Sequence, residues 1–154
     1  MKTISRGLLA ATIAAVCVVP VAGKGPTVML SITGPALRHA VDITDAQLLA
    51  ASSVYEGAFI SSPVAAPTAR LPRYTIAFHV EAPASMRRPV EVRYVVGYAA
   101  DPKAGFGFVY IPARGEPGYA INAGTIERAG SEGRWFRADG QWALALNRYL
   151  SANR

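Results

Sequence analysis

Three runs of alternating residues in the middle of the chain place the strongest constraint on its fold. Residues 73–81 put Tyr74, Ile76, Phe78 and Val80 on one side and Arg73, Thr75, Ala77, His79 and Glu81 on the other. Residues 90–99 and 106–111 repeat this alternation, and the sequences between the three runs are typical of turns. A period of two in residues rich in Val, Ile, Tyr and Phe is typical of half-buried strands. We therefore predict an antiparallel three-stranded meander whose aromatic residues, including Phe106, Phe108 and Tyr110, form the core.

The segment before the meander predicts two further strands and a short helix. Residues 27–33 and 37–43 alternate around Gly34-Pro35, which places His39 on the apolar side of the second strand. Thr44 and Gln47 match a helix-capping box, so a helix is expected over residues 45–52. Residues 57–72 contain three prolines and predict a long surface loop.

The segment after the meander predicts a hairpin and a closing helix. Residues 125–128 and 134–137 flank a glycine-rich turn at 130–133. Asp139 is a suitable N-cap for a helix with Trp142, Leu146, Tyr149 and Leu150 along one stripe. The expected fold is therefore α+β and sheet-dominated: an antiparallel, β-sandwich-like meander with a short helix after the second strand and a C-terminal helix.

The first 23 residues have the layout of a secretory signal peptide. Lys2 and Arg6 precede an uncharged apolar run of about 13 residues, and small residues follow Pro20. That run is shorter than the ~20 residues of a membrane-spanning helix. We predict cleavage near Gly23, export to the periplasm or the cell exterior, and a single globular domain over residues 24–154, with no stable membrane insertion. An uncleaved leader acting as a tether is the alternative.

Composition excludes several classes of chemistry. Cys17 is the only cysteine and lies inside the predicted leader, so the remaining chain forms no disulfide and offers no thiolate. Without Lys2 and Arg6 the chain has 14 basic and 10 acidic residues, a net charge of +4. The arginines are scattered rather than gathered on one segment, which argues against a nucleic-acid partner.

Acid–base and metal chemistry would depend on two histidines. His79 lies on the polar side of its strand near Glu81, and neither histidine has a spacing typical of a metal pair. The sequence therefore predicts no metal site and no cofactor. A small envelope hydrolase that uses His79 with Glu81 or Glu116 remains an alternative function.

Two loops carry side chains suited to ligand or partner contact. Residues 114–122 place Arg114, Glu116, Tyr119 and Asn122 beside glycines, and the turn before the second meander strand contains Arg87 and Arg88. Loops with such side chains often carry function. The competing interpretation is an ordinary connection in which Glu116 and Asn122 bond nearby backbone groups.

A further pattern is a resemblance to a group of proteins. The run Gly115-Glu116-Pro117, Tyr119, Asn122 and Thr125-Ile126, then Gly133-Arg134-Trp135-Phe136 and the helix with Trp142, resembles small exported bacterial proteins of unassigned function. The resemblance implies no activity. The sequence thus favours a non-catalytic binding or interaction domain of the cell envelope, whose partner is a protein or another envelope component.

Overall fold

The structure is a computed structural model that describes residues 25–68, 70–82, 90–101, 104–123 and 130–154. The strands are β1 Thr27–Thr33, β2 Val41–Ile43, β3 Ile60–Val64, β4 Arg73–Glu81, β5 Val90–Asp101, β6 Phe106–Tyr110 and β7 Trp135–Ala138. The helices are α1 Ala46–Ala50, α2 Tyr119–Asn122 and α3 Gly140–Ala152. The predicted leader, the strand predicted over residues 125–128, and Arg87 and Arg88 lie outside the described residues.

All seven described strands belong to one open antiparallel sheet. Their order is β2-β1-β4-β5-β6-β7-β3, and the predicted meander β4-β5-β6 lies at its centre. The sheet-dominated character and the C-terminal helix are confirmed. The expected sandwich is not seen, because the described strands form a single sheet, with α1 and α3 on one side of it.

The chain crosses one face of the sheet between β2 and β3, which lie at opposite edges. This crossing includes α1 and the turns after it, and it buries Leu48, Val54 and Phe59. The crossing and α3 therefore cover the same face of the sheet, and their apolar residues join the strands in one core.

Helix α3 is positioned by both capping and packing. Asp139 caps it by accepting hydrogen bonds from the amides of Gln141 and Trp142, as predicted. Trp142 is buried, and its Nε1 donates to Ser52 Oγ at 2.8 Å. Ser52 Oγ in turn donates to the Leu48 carbonyl oxygen, so a buried polar contact ties α3 to α1. Among the described residues no helix is long and apolar enough to cross a membrane.

Two predictions around α1 are wrong in detail. The second strand spans only Val41–Ile43, and His39 lies in the preceding turn with an exposed side chain. The turn that starts at Gly34-Pro35 extends further than the alternation suggested, because the Leu37 amide bonds back to the Gly34 carbonyl. Asp45, rather than Thr44, is the N-cap of α1, and its carboxylate accepts from the Leu48 amide at 2.8 Å.

The predicted surface loop over residues 57–72 contains a strand. Residues Ile60–Val64 form β3, which pairs with β7 at the edge of the sheet. Pro63 is compatible with this position because an edge strand leaves one side of its backbone unpaired. The prediction that no strand runs through this proline-rich segment is therefore wrong, since the segment supplies an edge strand.

The two faces of the sheet carry different residues. The direction in which the β6 side chains point determines which rings lie on the face away from α1 and α3. Tyr98 on β5 lies across Gly107, where an added Cβ would be 2.1 Å from the Tyr98 hydroxyl oxygen. The Tyr98 hydroxyl reaches Asn147 of α3 at 3.0 Å. Because Gly107 must therefore face the helices, Phe106, Phe108 and Tyr110 point to the opposite side. The prediction that these three rings belong to the core is wrong.

Candidate functional site

The side of the sheet that faces away from α1 and α3 is its open face. On β4 this face carries Arg73, Thr75, Ala77, His79 and Glu81, and the first two of these and Glu81 are exposed. β4 is an interior strand, paired on both sides. Exposure at the middle of a sheet rather than at its edge shows that this part of the face is open to solvent.

An aromatic–arginine cluster occupies the half of the open face built by β4 to β7. Its members are Arg73, Phe106, Phe108, Tyr110, Trp135 and Arg137. The guanidinium carbon of Arg73 lies 4.5 Å from the centroid of the Trp135 ring, and that of Arg137 lies 4.5 Å from the Phe106 ring. The rings contact one another in pairs, Tyr110 with Trp135 at 4.9 Å and Phe106 with Phe108 at 5.3 Å between centroids.

Strand register brings this cluster together from segments far apart in the chain. Arg73, Ala99, Phe108 and Arg137 are successive partners across β4, β5, β6 and β7. In the adjacent row Trp135 pairs with Tyr110, and Tyr110 pairs with Gly97 on β5. Small residues on β5 leave room for Arg73 to reach Trp135, because neither Ala99 nor Gly97 has a side chain long enough to block it.

No hydrogen-bond donor of either arginine side chain of the cluster is bonded to another residue of the part of the chain that the structure describes. Their side chains are exposed, and neither forms an ion pair with an acidic residue of the described ranges. A guanidinium that stacks on a ring is held in orientation, while the N–H groups at its rim remain free to bind an anion. Arg73 and Arg137 are therefore two oriented cations on an open surface.

A polar chain borders the other half of the open face. Ser31 Oγ donates to Asp42 Oδ1 at 2.6 Å and lies 2.9 Å from His79 Nε2. Since its single proton is directed to Asp42, Ser31 accepts from His79 when Nε2 carries the hydrogen. This polar chain of Asp42, Ser31 and His79 crosses β2, β1 and β4.

Small side chains form a floor between the cluster and the polar chain. The floor consists of Thr75 and Ala77 on β4 and Gly97 on β5. Thr33 lies beside Thr75 on β1 and extends the floor with a second exposed hydroxyl. The open face is thus a shallow surface with a cationic aromatic border on one side and a hydroxyl-rich and carboxylate-rich border on the other.

The loop over residues 114–122 contributes one hydrogen-bonded group to the cluster. Glu116 is exposed, and one of its carboxylate oxygens accepts from both the Ala113 amide and the Tyr110 hydroxyl at 2.8 Å. The backbone amide of Ala113 and the Tyr110 hydroxyl lower the pKa of Glu116. Desolvation, followed by the bond and charge of Glu116, raises the pKa of Tyr110. Glu116 therefore holds the Tyr110 ring in place beside Trp135.

Asn122 forms hydrogen bonds within the fold, and its role in contacting a ligand or partner stays a prediction. It lies at the end of α2, its side chain is fully buried, and it both accepts from the Val95 amide and donates to the Val95 carbonyl. β6 pairs with β5 only from Gly97 onward. The Asn122 amide thus continues the ladder where β6 has ended, which is the ordinary-connection interpretation of this residue.

The other residues of the 114–122 loop that were predicted to contact a ligand differ from Asn122 in their exposure. Arg114 is exposed in the turn before α2, and Tyr119 is half-buried at the first position of α2. Their role in contacting a ligand stays a prediction. Arg87 and Arg88 lie outside the described residues.

The histidine and carboxylates of the hydrolase alternative do not form a hydrogen-bonded set in the described part of the chain. His79 contacts Ser31, whereas Glu116 is bonded to Tyr110 and Ala113. The Ser31 hydroxyl donates to a carboxylate, while a serine nucleophile must donate to its histidine base. Within the described ranges no group of three or more His, Cys, Asp or Glu residues could hold a metal ion.

Two depressions lie away from the open face. A groove of about 500 Å³ between α1 and α3 is lined by residues that include Asp45, Leu144, Arg148 and Tyr149. A wider one of about 900 Å³ lies beside the start of β1 and α1. Asp45, the acidic residue of the first groove, is already used as the cap of α1.

Comparison with protein-family models, with curated proteins and with solved structures finds no match to this chain. The function must therefore be argued from the site. Sequence reasoning missed Arg73, Trp135 and Arg137 as site residues, and it assigned the β6 rings to the core. The available signal was the alternation within β7, which places Trp135 and Arg137 on the side opposite Phe136.

Proposed function

We propose that this protein is a non-catalytic binding domain and that its ligand is an anionic chain lying on the open face. The observation that carries this proposal is the pair of exposed arginines held on aromatic rings without an acidic partner in the described residues. Oriented guanidinium groups bind carboxylates and phosphates through two parallel hydrogen bonds. An anion bound to each arginine would supply the hydrogen-bond acceptors that the described residues do not provide.

The shape of the open face supports an extended ligand rather than a small enclosed one. Its floor is built of small residues and has the aromatic–arginine cluster along one border. A small-molecule site is usually a concave cavity that buries most of its ligand. The open face instead offers a broad strip that several units of a polymer can contact at once.

The proposal includes the location predicted from the leader. A domain that is exported and lacks a disulfide would meet its ligand at the cell envelope. Mass spectrometry of the exported product tests this part, since a cleaved chain begins near Lys24 or Gly25. A product that retains residues 1–23 contradicts cleavage but leaves the binding function intact.

The hydrolase alternative receives less support from the same geometry. It requires His79 to act together with Glu81 or Glu116, and the described contacts give His79 and Glu116 separate partners. The direction of the Ser31 hydrogen bond also disfavours a nucleophilic serine. Binding is therefore the function that the site supports best.

Chemical-shift mapping by NMR tests where an anionic chain binds. The protein is titrated separately with polygalacturonate, oligothymidylate and polyphosphate while backbone amides and the Trp135 indole are followed. We expect the largest shifts at Thr75, Gly97, Phe108 and Trp135 with at least one of these polymers. Shifts confined to Leu144 and Arg148 in the α1–α3 groove, or no shifts with any polymer, would contradict the proposal.

A further inference from the structure

The chemical groups on each part of the open face indicate which class of polymer can bind there. This inference rests on the proposed function and names its ligand. We propose that the ligand is an acidic polysaccharide, a chain of sugars that bear carboxylates, with Arg73 and Arg137 each receiving one carboxylate.

The aromatic–arginine cluster presents donors rather than open ring faces. Trp135 and Phe106 each carry a guanidinium 4.5 Å from the ring centroid, and each also contacts a second ring. Proteins that bind single-stranded nucleic acid use exposed rings on which successive bases stack. Here the arginines occupy the rings, so the rim N–H groups of two guanidinium groups are what a ligand meets.

The rest of the open face suits a ligand with many hydroxyls. Thr33 and Thr75 are exposed, and the polar chain adds the Ser31 hydroxyl, the His79 ring and the Asp42 carboxylate. A sugar hydroxyl both donates and accepts, so it can bond to a carboxylate, a hydroxyl or an imidazole nitrogen. A polymer that carries both hydroxyl groups and carboxylates matches this distribution.

The acidic groups around the open face favour a polymer that carries hydrogen-bond donors as well as negative charge. Asp42, Glu81 and Glu116 are all exposed, the first two on this face and the third bonded to Tyr110. A polyphosphate would place negative charge against these carboxylates as well as on the arginines, and it has no hydroxyl to donate to them. A sugar chain with carboxylates can satisfy Arg73 and Arg137 and donate its hydroxyls to the acidic side chains.

Isothermal titration with matched polymers tests the inference. Polygalacturonate is compared with its methyl ester, which has the same sugars without the charge, and with polyglutamate, which has carboxylates without sugars. We expect polygalacturonate to bind at least about tenfold more tightly than either, because charged hydrogen bonds and hydroxyl contacts are both required. Equal binding of the ester or of polyglutamate, or no binding of polygalacturonate, would overturn the inference.

Substitutions identify the residues that receive the carboxylates. Arg73→Ala and Arg137→Ala should each weaken polygalacturonate binding roughly tenfold. The charge-preserving Arg73→Lys and Arg137→Lys should recover only part of the loss, because lysine lacks the planar donor pair. Arg148→Ala is the matched control, an exposed arginine on α3 behind the sheet, and it should change affinity less than twofold.

The failure of the inference can be told apart from failure of the proposed function. Oligothymidylate binding that depends on Arg73 and Arg137, with no polygalacturonate binding, would overturn the ligand class but leave the open face as the binding surface. If alanine at both positions leaves the affinity for every polymer unchanged, the proposed function fails as well.

Discussion

The two faces of the central sheet use the same residue types for different purposes. On β4, Ile76 and Phe78 are fully buried under the helices, while Arg73 and Thr75 on the other side are exposed. Aromatic rings occur on both faces. Phe59, Phe78 and Tyr94 pack against one another in the core, whereas the rings of β6 and β7 pack against arginines at the surface. Aromatic content alone therefore does not distinguish a core from a binding surface.

The difference comes from what covers each face. The crossing between β2 and β3 and helix α3 exclude water from one side, so its rings contribute to stability through burial. Arg73, Thr75 and Arg137 remain exposed on the open face, and the rings beside them orient guanidinium groups instead. Stability and binding should thus be separable by substitution.

The largest expected difference is between two phenylalanines. Phe78→Ala should lower the free energy of unfolding by about 3–5 kcal/mol, because it removes a fully buried ring and leaves a cavity. Phe106→Ala removes a half-buried ring that contacts Phe108 and Arg137, and it should cost about 1 kcal/mol. Urea denaturation measures both. Similar losses at the two positions would show that the open face is as well packed as the core.

Two glycines provide a second comparison, in which the expected losses in the free energy of unfolding are smaller. Gly107→Ala would place a Cβ 2.1 Å from the Tyr98 hydroxyl oxygen, and Tyr98 is held in the core by its bond to Asn147. We expect a loss of about 1–3 kcal/mol in the free energy of unfolding from this overpacking.

Gly97→Ala is the matched change on the open face. Its Cβ would lie 3.3 Å from the Tyr110 Cβ, a contact that a small shift relieves, so the loss should stay below about 1 kcal/mol. Thermal denaturation of the two variants measures the difference. A larger loss at Gly97 than at Gly107 would contradict the assignment of the two faces.

Substitutions of two tyrosines should have the smallest effect on the free energy of unfolding at neutral pH. Burial, with a smaller contribution from Glu132, raises the pKa of Tyr94 from 10.0 to about 12. The Tyr94 hydroxyl therefore loses its proton at a lower pH in the unfolded chain than in the folded chain. The resulting contribution to the free energy of unfolding is fully present below about pH 10. It is lost as the pH rises through about 12. Tyr94→Phe should therefore reduce the fall in stability over this pH range.

Tyr110→Phe is the control on the open face. The pKa of Tyr110 is also raised, by desolvation first and by Glu116 second, but its side chain is only half-buried. This variant should change the alkaline fall in stability less than Tyr94→Phe does, as followed by denaturation at a series of pH values. The reverse order would place Tyr110, rather than Tyr94, in the more water-excluded site.

Part of the fold could be predicted because the relevant interactions are local. The alternation in residues 73–81 correctly separates the two sides of β4, and Asp139 correctly marks the start of α3. The β6 rings could not be assigned in the same way, because alternation shows which residues share a side but not which side faces the helices. Arg73 and Arg137 were missed since their partners lie on other strands.

The sequence by itself determined the strands of the meander, the capped C-terminal helix and the absence of any disulfide, because each depends on neighbouring residues or on composition. Tertiary structure alone decided that β3 pairs with β7, that Asn122 continues the β5 ladder, and that Tyr98 crosses Gly107. The first two need segments distant in the chain to meet at a specific register, and the third depends on which face of the β5–β6 hairpin is covered by α3. The aromatic–arginine cluster is of this second kind, since four strands must align before its cations stack on its rings.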